Sequence, residues 1–589
     1  MLFIKNIKVD PSTAANDGAQ SVRVECTVVT ALEDTSIQRV ELDLSHTLFP
    51  CRLEMQPVEG NVLPRTMEGD YSVFLPIRRM MDTGPYRLPI IATDSLGNKQ
   101  RADASLEVVY RCPEGLSGVG SPNFLEQVGQ TARANVSGAD RVEFLETGDK
   151  AKDTILSLIR SAKRQINLQT YTLGDRGAGR VISDELVKKA GEGVEVNLIL
   201  NADTQYPTSP LGTLRLKFNR VLAEWTGHAP VKTPEPESPA QSTAESPRPA
   251  ESRQGMSVVL FSGRKPAGPE EDNKDFTEHW LSRLVASKAG KDETLPSWLS
   301  SFQGPGGLPA LPLLDFAIHE KILVVDGERA VVGGRNMEEV YFSGWTDLDL
   351  YLEGPVVAEV QKGFLRSFRE MAEAEPTSRN PSDVFGDFGQ AQGPSCLFVQ
   401  SRPWNREYGT LLSLVQAIQS CKKNFYVSSQ YIVLPQGLLL DALLDAAKRG
   451  VDVRVFTNSA RTAQQVNLGA GYYLSLNYVK TLLDAGVRVW EYKGFPGEED
   501  RQPYLHCKEF LMDGELAAVG SFNLSLRSCY VESENLVFVQ DQDLAAARQR
   551  RFVSRLETMG REITPERLEQ LYAEHKIKIE WARHLELLY

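Results

Sequence analysis

Two short motifs carry residues able to do acid–base and nucleophilic chemistry. The chain contains the pattern H-x-K-x-x-x-x-D twice, in "HEKILVVDGERAVVGGRN" from His319 and in "HCKEFLMDGELAAVGSFN" from His506, an offset of 187 in residue number. The same offset relates four further pairs: Lys321 and Lys508, Asp326 and Asp513, Asn336 and Asn523, and Asp347 and Glu534. One such pattern arises by chance, but two copies with matched spacing strongly indicate a site.

Two histidines, two lysines and two asparagines around one cleft suit a phosphodiester. Ammonium and amide groups bind its non-bridging oxygens, most strongly as charge develops in the transition state. One imidazole attacks phosphorus to form a phosphohistidine. The other protonates the leaving alkoxide and then deprotonates the incoming hydroxyl, which contributes about 10²–10⁴-fold. Each imidazole needs a carboxylate on its other nitrogen, and Asp347 and Glu534, which follow their own histidines at one common spacing, are the candidates.

The predicted site divides into a catalytic and a structural set. The catalytic set is His319, Lys321, Asn336, Asp347, His506, Lys508, Asn523 and Glu534. The structural set of the motifs is Asp326, Asp513, Gly333, Gly334, Gly520 and Ser521. We expect the two aspartates of this set to be ion-pair or turn partners near the motif lysines. The other histidines lack metal-ligand spacing and the seven cysteines are scattered without a C-x-x-C pair, so we predict no metal and no cofactor.

Each motif reads as a strand, a tight turn at Asp-Gly, a second strand and a G-[GS]-x-N turn. Alternate residues of a strand point to the same side. We therefore expect His319 and Lys321 to project together, as well as His506 and Lys508. The apolar residues that follow would pack inward as a rigid support, and Cys507 would face the opposite side as a structural residue.

Helix and strand patterns alternate from about residue 140 and then repeat. "DTILSLIRSAKRQINLQTY" predicts a helix and a strand, and "VISDELVKKAGEGVEVNLIL" predicts another helix, ending near Gly193, and another strand. The order returns in "TLLSLVQAIQSCKKNFYVSSQYIV" and "GLLLDALLDAAKRGVDVRVFT", with a helix end at Gly450. This long-period duplication predicts two α/β domains of the same plan.

The first copy is interrupted before its histidine. The two helix ends, Gly193 and Gly450, are further apart in the sequence than the two motif histidines, so the first copy holds an insertion. Residues 229–254 are rich in Pro, Ser, Glu and Ala and are predicted to be disordered. Residues 263–312 contain a helical pattern and two tryptophans, and we predict a lid over the site. A surface insert without function is an equal alternative for 229–254 and a weaker one for 263–312.

The N-terminal segment has a different pattern of apolar and polar residues. Residues 1–110 alternate apolar and polar positions in several short runs separated by turns, which predicts an all-β, immunoglobulin-like sandwich. Because no cluster of carboxylates and histidines occurs there, we expect a binding or positioning role. The first residues, "MLFIKNIKVD", read as a strand and not as a signal peptide.

Composition narrows the classes of function. A chain of 589 residues should hold more than one domain. Its net charge of −13 and pI near 5.3 argue against nucleic acid as a partner, because phosphate-backbone binding needs clustered cations. No apolar run is long enough to cross a bilayer, so no membrane-spanning helix is predicted. The default compartment is the cytoplasm, with peripheral contact at the inner face of the membrane.

Both motifs, with "GGRN" and "GSFNLSLRS" after them, resemble the HKD motifs of the phospholipase D superfamily, and the similarity covers about residues 140–589. "WTDLDLYLEGPVVAEVQKGFLRSF", "SSQYIVLP" and "AAKRGVDVRVF" resemble the bacterial cardiolipin synthase branch. The resemblance implies two phospholipase D-like α/β/α sandwich domains, at 140–375 and 390–589, that share one active site. It also implies a metal-independent transfer in two steps through phosphohistidine. Asp349 stands where that branch commonly has histidine.

The leading hypothesis is a phosphatidyltransferase or phospholipase that acts on glycerophospholipids at a membrane surface. We prefer His319 as its nucleophile and His506 as its acid. The alternatives are a nuclease or other phosphodiesterase of the same superfamily, a phospholipase D-type toxin effector, or an adaptor that binds through its β domain. Intact His, Lys and Asn in both halves make the adaptor the weakest of these. The oligomeric state stays open.

Overall fold

The protein is described from a computed structural model. The described residues are 2–30, 35–44, 51–58, 68–201, 256–261, 316–372, 380–434, 437–464, 466, 469–496 and 503–583. The predicted disordered insert at 229–254 and the predicted lid at 263–312 both lie outside these residues. The described residues form two compact units. The first holds those of 2–116 together with 437–445, and the second holds those of 117–261, 316–434 and 446–583.

The described residues up to 116 form two sheets. Their strands are β1 Leu2–Asp10, β2 Thr13–Ala15, β3 Ser21–Thr30, β4 Ile37–Asp43, β5 Arg52–Glu54, β6 Gln56–Pro57, β7 Glu68–Pro76, β8 Gly84–Asp94 and β9 Lys99–Val109. The sheet orders are β1-β3-β7-β6 and β2-β9-β8-β4-β5. Alternate residues of β3, including Val22 and Val24, share one apolar core with Leu88 and Ile90 of β8. The immunoglobulin-like shape stays a prediction.

The first half of the second unit combines a mixed sheet with helices. Its strands are β10 Val136–Gly138, β11 Arg141–Leu145, β12 Gln165–Thr170, β13 Glu195–Asn201, β14 Met256–Phe261, β15 Ala317–Ile318, β16 Ile322–Val325, β17 Arg329–Gly333, β18 Trp345–Thr346 and β19 Asp349–Glu353. Its helices are α1 Phe124–Ala132, α2 Gly148–Ser161, α3 Gly177–Gly191, α4 Glu339–Ser343 and α5 Val356–Ala372. Thr147 caps α2 by accepting from the Lys150 N–H at 3.3 Å, and Ile155 and Ile159, one turn apart, are buried.

The second half repeats this plan. Its strands are β20 Ser395–Arg402, β21 Glu407–Tyr408, β22 Asn424–Ser428, β23 Ile432–Val433, β24 Asp452–Asn458, β25 Arg488–Tyr492, β26 Tyr504–Leu505, β27 Glu509–Met512, β28 Leu516–Gly520, β29 Leu524–Ser525, β30 Glu532–Gln540 and β31 Gly560–Glu562. Its helices are α6 Gly409–Ser420, α7 Leu438–Lys448, α8 Ala460–Ala463, α9 Ala470–Asp484, α10 Leu526–Tyr530, α11 Gln542–Met559 and α12 Pro565–Ala582, with a 3₁₀ turn at Pro403–Asn405. The residues of α7 up to 445 are counted with the first unit. The helix and strand pairs predicted from the repeated sequence are confirmed.

The two main sheets of the second unit pack together, and the strands of the first have counterparts in the same order from β20 to β25 of the second. Within the described residues, the first reads β11-β19-β17-β16-β12-β13-β14 and the second β10-β20-β30-β28-β27-β22-β24-β25-β31. Ile322 and Val332 of the first sheet share one buried apolar cluster with Leu511 and Val537 of the second. Burial of apolar surface therefore joins the halves, while α2 and α3 pack against the first sheet in a separate cluster.

The predicted strand through each motif histidine and lysine was wrong. Residues 319–321 lie between β15 and β16, and residues 506–508 lie between β26 and β27. The break has a physical cause: β15 pairs with β30, whereas β16 pairs with β12 and β17, so the chain changes neighbours at the histidine. The predicted Asp-Gly turns are confirmed. Asp326 and Gly327 have φ of 55° and 69°, and Asp513 and Gly514 have 54° and 70°, the conformation of a two-residue hairpin.

Candidate active site

The two halves exchange short strands on either side of the site. β15 pairs in parallel with the start of β30, and β18 pairs in parallel with β26. The backbone N–H of His319 donates to Ser533 O at 3.1 Å, and that of His506 donates to Thr346 O at 2.8 Å. These two bonds are equivalent under the offset that relates the motifs. Each motif histidine is thus fixed by backbone of the opposite half.

The carboxylates are exchanged in the same way. Nδ1 of His319 lies 3.0 Å from Glu534 Oε1, and Nδ1 of His506 lies 2.6 Å from Asp347 Oδ2. Both predicted carboxylates therefore contact imidazoles, but each contacts the histidine of the other half and not the one that precedes it in its own half. A carboxylate accepts from Nδ1–H, which leaves Nε2 of each ring as the nitrogen for chemistry.

The turn that ends each motif lies against one of the two carboxylates. Glu534 accepts from the Ser521 hydroxyl, and from the Ser528 hydroxyl at 2.6 Å. In the first half Gly334 replaces Ser521, and a Cβ there would lie 2.2 Å from Asp347 Oδ1, so only glycine permits the approach. Gly334 and Ser521, predicted as structural residues, thus contact the two candidate carboxylates.

The preceding glycines, Gly333 and Gly520, lie at the ends of β17 and β28. A Cβ at Gly333 would meet Asp349 Cα at 2.5 Å, and one at Gly520 would meet Asn535 O at 2.1 Å. Both therefore allow close approach of adjacent strands, which fits the structural role predicted for them.

The motif lysines turn back onto their own histidines. Lys321 Nζ donates to His319 O, and Lys508 Nζ donates to His506 O at 2.6 Å. Lys508 Nζ also lies 2.7 Å and 2.9 Å from the two ring nitrogens of His506. Burial lowers the pKa of Lys321 to about 7 and that of Lys508 to about 8.

Both imidazoles sit in surroundings that disfavour their charged form. Burial lowers the pKa of His319 well below its ordinary value, Lys321 lowers it further, and Glu532 acts in the opposite direction. Burial also lowers the pKa of His506 well below its ordinary value, and Lys508 adds to that effect. Such shifts at clustered groups are typical of sites that move protons.

The two motif asparagines have different surroundings. The Asn336 amide donates to the Tyr341 hydroxyl at 2.8 Å, and its oxygen lies 3.4 Å from Thr170 Oγ1. Asn523 is fully buried, and neither its amide nitrogen nor its amide oxygen has a partner among the described residues. A buried amide without partners is costly unless a ligand satisfies it.

Of the two roles predicted for the motif aspartates, ion-pair partner or turn partner, their contacts are those of turn partners. Asp326 accepts from the backbone N–H groups of residues 163, 164 and 165, at 2.7–3.2 Å. Asp513 accepts from those of residues 422, 423 and 424, at 2.8–2.9 Å. The positive φ of each aspartate turns its carboxylate toward the loop that enters the neighbouring strand. Their role in the turn is confirmed.

An ion pair that was not predicted from the sequence lies next to the first motif. Arg335 and Asp349 are both buried, and Arg335 Nη1 donates to Asp349 Oδ2 at 2.7 Å. Arg335 also donates to the backbone oxygen of Asp347 at 2.8 Å, which fixes the residue that holds His506. Their counterparts at the motif offset in the second half are Phe522 and Leu536. The sequence did offer a signal for this pair, because these two matched positions carry residues of different types in the two halves.

A second missed pair lies beside His319. Arg527 Nε donates to Glu532 Oε1 at 2.8 Å, and Glu532 Oε2 lies 3.9 Å from His319 Nδ1. Burial acts to raise the pKa of Glu532, but Arg527, His319 and Lys321 together outweigh it and lower that pKa to about 2. Burial and Glu532 together raise the pKa of Glu534 well above its ordinary value.

Aromatic rings surround both histidines. The centroid of His506 lies 4.9 Å from Tyr341, 5.5 Å from Trp345 and 6.3 Å from Tyr504. His319 meets Tyr171 edge-on at 5.7 Å. These rings limit the access of water to the site, which strengthens every electrostatic interaction inside it.

Three of these residues have the spacing of metal ligands. Ligand atoms of His319, Glu532 and Glu534 lie within 4.8 Å of one another. Both carboxylates are already engaged, because Arg527 donates to Glu532 and two serine hydroxyls donate to Glu534. This donor set fits protein cations and hydroxyls, and the absence of a metal from the mechanism stays a prediction.

Comparisons with known proteins agree with the motifs. Residues 414–556 match the family model described as "Cardiolipin synthase, PLD-like domain". Cardiolipin synthase 2 of Bacillus cereus is 27% identical over 421 residues, which cover 69% of this chain and 63% of that protein. Cardiolipin synthase A of Pseudomonas fluorescens is 26% identical over 414 residues, 69% of this chain and 66% of that protein. The match thus spans less than two thirds of the length of these relatives.

Residues 414–556 thus match a phospholipase D-like domain, and the longer alignments make the chain similar to proteins of the phospholipase D superfamily. The relatives that it resembles in these comparisons are cardiolipin synthases. Among solved structures, phosphatidylserine synthase of Haemophilus influenzae Rd KW20 matches with a TM-score of 0.49 and 12% identity, over 79% of this chain and 100% of that chain. Within the part of the chain that the structure describes, no helix has the length and apolar character needed to cross a membrane.

Proposed function

We propose that the protein is a phosphatidyltransferase of the phospholipase D type, which transfers a phosphatidyl group between alcohols through a phosphohistidine. The observation that carries the proposal is the exchange of carboxylates. Two motif histidines from two halves are brought to one site, each with Nδ1 on a carboxylate of the opposite half. That arrangement leaves two Nε2 atoms for a two-step displacement at phosphorus.

The other motif residues fit the charge of a phosphodiester. The ammonium groups of Lys321 and Lys508 would neutralise its non-bridging oxygens, and the buried, unpartnered amide of Asn523 would donate to one of them. In the first step one imidazole attacks phosphorus to form the phosphohistidine, and the other gives its proton to the leaving alkoxide oxygen, which departs as an alcohol. In the second step the same imidazole takes the proton of the incoming hydroxyl, and that hydroxyl displaces the histidine.

The substrate class follows from the relatives. Two cardiolipin synthases match over 69% of the chain, and their names refer to a phospholipid product. We infer that this protein acts on glycerophospholipids presented by a membrane surface, to which it binds peripherally from the cytoplasm. The proposed domains are an immunoglobulin-like β domain at 1–110, which positions the enzyme, and two phospholipase D-like sandwiches at 140–375 and 390–589 with one shared site.

The test is turnover of mixed-phospholipid vesicles with and without glycerol, followed by mass spectrometry of the lipids. The wild type would be compared with His319→Ala and His506→Ala. Cardiolipin, or a new phosphatidyl ester that depends on glycerol and is lost in both variants, supports the transferase. Phosphatidic acid as the sole product would make the protein a hydrolase. Lipids that remain unchanged would refute the proposal and direct the search to other phosphodiesters.

The proposed reaction uses no metal ion. Turnover of the same vesicles should therefore be unchanged after incubation with EDTA and gel filtration. A loss of activity that Zn²⁺ or Mg²⁺ restores would mean that the cluster of His319, Glu532 and Glu534 is a metal site.

A further inference from the structure

Arg335 is a buried cation that has no counterpart in the second half of the protein. It is 1% exposed, and the residue at the motif offset is Phe522. Its ion-pair partner Asp349 is also buried and corresponds to Leu536. Apolar residues of similar volume are often at least as stable as a buried ion pair, because two charges lose their hydration on burial. Since the second half fills the equivalent positions with apolar residues, the pair needs a reason other than stability.

The guanidinium of Arg335 has an acceptor for each of its N–H groups. The acceptors are four backbone oxygens and one carboxylate: Tyr341 O at 3.2 Å, Leu145 O at 2.9 Å, Glu146 O at 3.1 Å, Asp347 O at 2.8 Å and Asp349 Oδ2 at 2.7 Å. Because a guanidinium has five donors and all of them are used, the cation has one fixed position beside Asp347.

Asp347 and Asp349 are two buried carboxylates that lie beside this one cation. Asp347 Oδ2 lies 2.6 Å from His506 Nδ1, whereas Asp349 Oδ2 accepts from the Arg335 side chain. The backbone N–H of Arg335 also donates to Asp349 Oδ1 at 3.2 Å, so Asp349 holds this residue through both of its oxygens. Two neighbouring carboxylates disfavour each other's ionisation. The guanidinium offsets that repulsion and allows both groups to be anions.

Arg335 is also the permanent cation beside Asp347. Burial raises the pKa of Asp347, while Lys508 and Arg335 act against that rise. Burial lowers the pKa of Lys508 to about 8, and in the proposed reaction this lysine binds a phosphate oxygen. An arginine keeps its charge at every working pH. The other charged or titratable groups that face Asp347 are His506, Lys321, Asp349, Tyr341 and Cys507.

The carboxylate of the other imidazole pair, Glu534, is supported in a different way. It accepts from the hydroxyls of Ser521 and Ser528, which are neutral donors. The first-half counterpart of Ser521 is Gly334, which has no hydroxyl, and Arg335 is the next residue in the chain. The first half therefore supports its carboxylate with a guanidinium, where the second half uses hydroxyl groups.

We propose that Arg335, fixed by Asp349, is the positioning residue that keeps Asp347 ionised and directed at His506. This inference rests on the proposed function, because the pair of imidazole and carboxylate serves the reaction at phosphorus. An ionised Asp347 accepts from Nδ1–H of His506 and fixes the tautomer and orientation of the ring. A protonated Asp347 would donate to Nδ1 instead, and the neutral ring would then carry its proton on Nε2.

The test is the pH dependence of kcat in variants that remove one or both charges of the pair. The double variant Arg335→Phe/Asp349→Leu introduces the two residues of the second half, and Asp349→Asn removes the partner but keeps the cation. Turnover is measured with phospholipid vesicles and with bis(p-nitrophenyl) phosphate, from about pH 5 to pH 9. Thermal unfolding of each variant is measured in parallel.

The two kinds of variant should respond to pH in different ways. A carboxyl group is ionised above its pKa, and an adjacent arginine typically lowers that pKa by about 1–3 units. In the double variant the pKa of Asp347 therefore rises, and kcat relative to wild type should fall about tenfold at acid pH and recover as pH increases. Its unfolding temperature should stay near that of the wild type. Asp349→Asn should unfold at a lower temperature, but its relative kcat should not fall toward acid pH, because Arg335 remains.

Glu491→Gln is the matched control. Glu491 is a buried carboxylate that accepts from Tyr472 at 2.6 Å and from Arg561 at 2.9 Å. Its loss should lower the unfolding temperature and leave kcat relative to wild type the same at every pH. If the double variant does not fold, Arg335→Gln and Arg335→Lys provide the same comparison. Relative kcat should fall toward acid pH in Arg335→Gln and stay constant in Arg335→Lys, which keeps the charge.

The outcomes separate this inference from the proposed function. A double variant with the wild-type kcat at every pH, or equal losses without pH dependence in both variants, would make the pair structural and overturn the inference. Turnover of bis(p-nitrophenyl) phosphate without turnover of lipid would overturn the proposed function, and the role of Arg335 would be decided on that diester. A wild type that turns over neither substrate would overturn both.

Discussion

Asn336 and Asn523 occupy the same position in the two motifs but have different partners. The Asn336 amide is bound to Tyr341 at 2.8 Å, whereas both polar side-chain atoms of Asn523 lack partners among the described residues. The same contrast runs through the site at the motif offset: Gly334 corresponds to Ser521, Trp345 to Glu532, and Arg335 to Phe522. A two-step reaction needs two histidines with different roles. Different side chains at equivalent backbone positions can provide that difference.

Asn523→Ala is expected to slow the reaction without lowering stability. Loss of one preorganised donor to a developing oxyanion lowers kcat by about 10²–10³-fold. The unfolding temperature should not fall, because the amide has no partner in the described part of the protein. Steady-state kinetics with thermal unfolding measures both. Asn336→Ala is the matched comparison, and it should lower stability through the lost bond to Tyr341. A lower unfolding temperature for Asn523→Ala would contradict the ligand role.

Anion binding should weaken as pH rises. A lysine carries its charge below its pKa, and burial lowers the pKa of Lys321 to about 7 and of Lys508 to about 8. Burial and the neighbouring lysines lower the pKa of each histidine well below its ordinary value, so the lysines are the groups expected to lose charge in this range. Sulfate is the probe, because its own charge is constant. One charge-assisted bond contributes about 1.5–3 kcal/mol, so we expect the sulfate Kd to rise roughly 10–100-fold between about pH 6 and pH 9.

Calorimetric titration of sulfate at each pH measures this change. Lys321→Arg is the control, since arginine keeps its charge and should remove the earlier part of the rise. A Kd that does not change with pH would mean that neither lysine faces the anion.

At the scale of elements, the Asp-Gly turns show how each motif strand is fixed. Asp513 joins the turn between β27 and β28 to the loop before β22 through three backbone N–H groups. β22 pairs with both β24 and β27. The turn therefore fixes the position of the strand next to the motif. The aspartate of the motif is therefore a structural residue that acts through the sheet.

Asp513→Ala should destabilise the protein and leave its catalytic rate unchanged. A bond to a charged acceptor contributes about 1.5–3 kcal/mol, so losing three shared bonds should cost at least about 2 kcal/mol. We expect a lower unfolding temperature and an unchanged kcat per folded molecule. Asp326→Ala, which removes the same kind of bonds in the first half, should behave alike. A stable variant with a reduced kcat would place the aspartate in the reaction itself.

The sequence predicts the elements well where the pattern is local or repeated. Helix periodicity located α2, α3 and α6, and the constant offset between the halves located every motif pair. The strand through His319 was wrong because the local pattern cannot show that β15 pairs with the opposite half. Contacts of Ala317 with Glu532, far along the chain, decide that break.

The carboxylate exchange could not be predicted for the same reason. Glu534 lies 215 residues from His319, and Asp347 lies 159 residues from His506, whereas the spacing within each half suggests much nearer partners. Glu532 could not be found from the repeat between the two halves, because the residue at its matched position is a tryptophan. A search for matched positions with unlike residues would have found it.

At the scale of the molecule, buried charge also joins the halves. Arg548 Nη2 lies 2.5 Å from Glu509 Oε1, and Arg548 Nη1 lies 2.9 Å from Glu146 Oε1 of the first half. Arg548 and Glu509 are buried, so removal of one partner would leave an uncompensated charge. Together with the exchanged strands, this network ties the geometry of the site to the packing of both halves within one chain.

Mixing inactive variants tests whether one chain builds the whole site. His319→Ala and His506→Ala each lack one imidazole, and the exchanged carboxylates and strands join the two halves of a single chain. An equimolar mixture should therefore show no more phosphatidyl transfer than the two variants measured separately. The mixture should be assayed directly and again after unfolding and refolding together. Activity that returns only after joint refolding would mean that halves exchange between chains, because an intact half from each variant would then meet in one site.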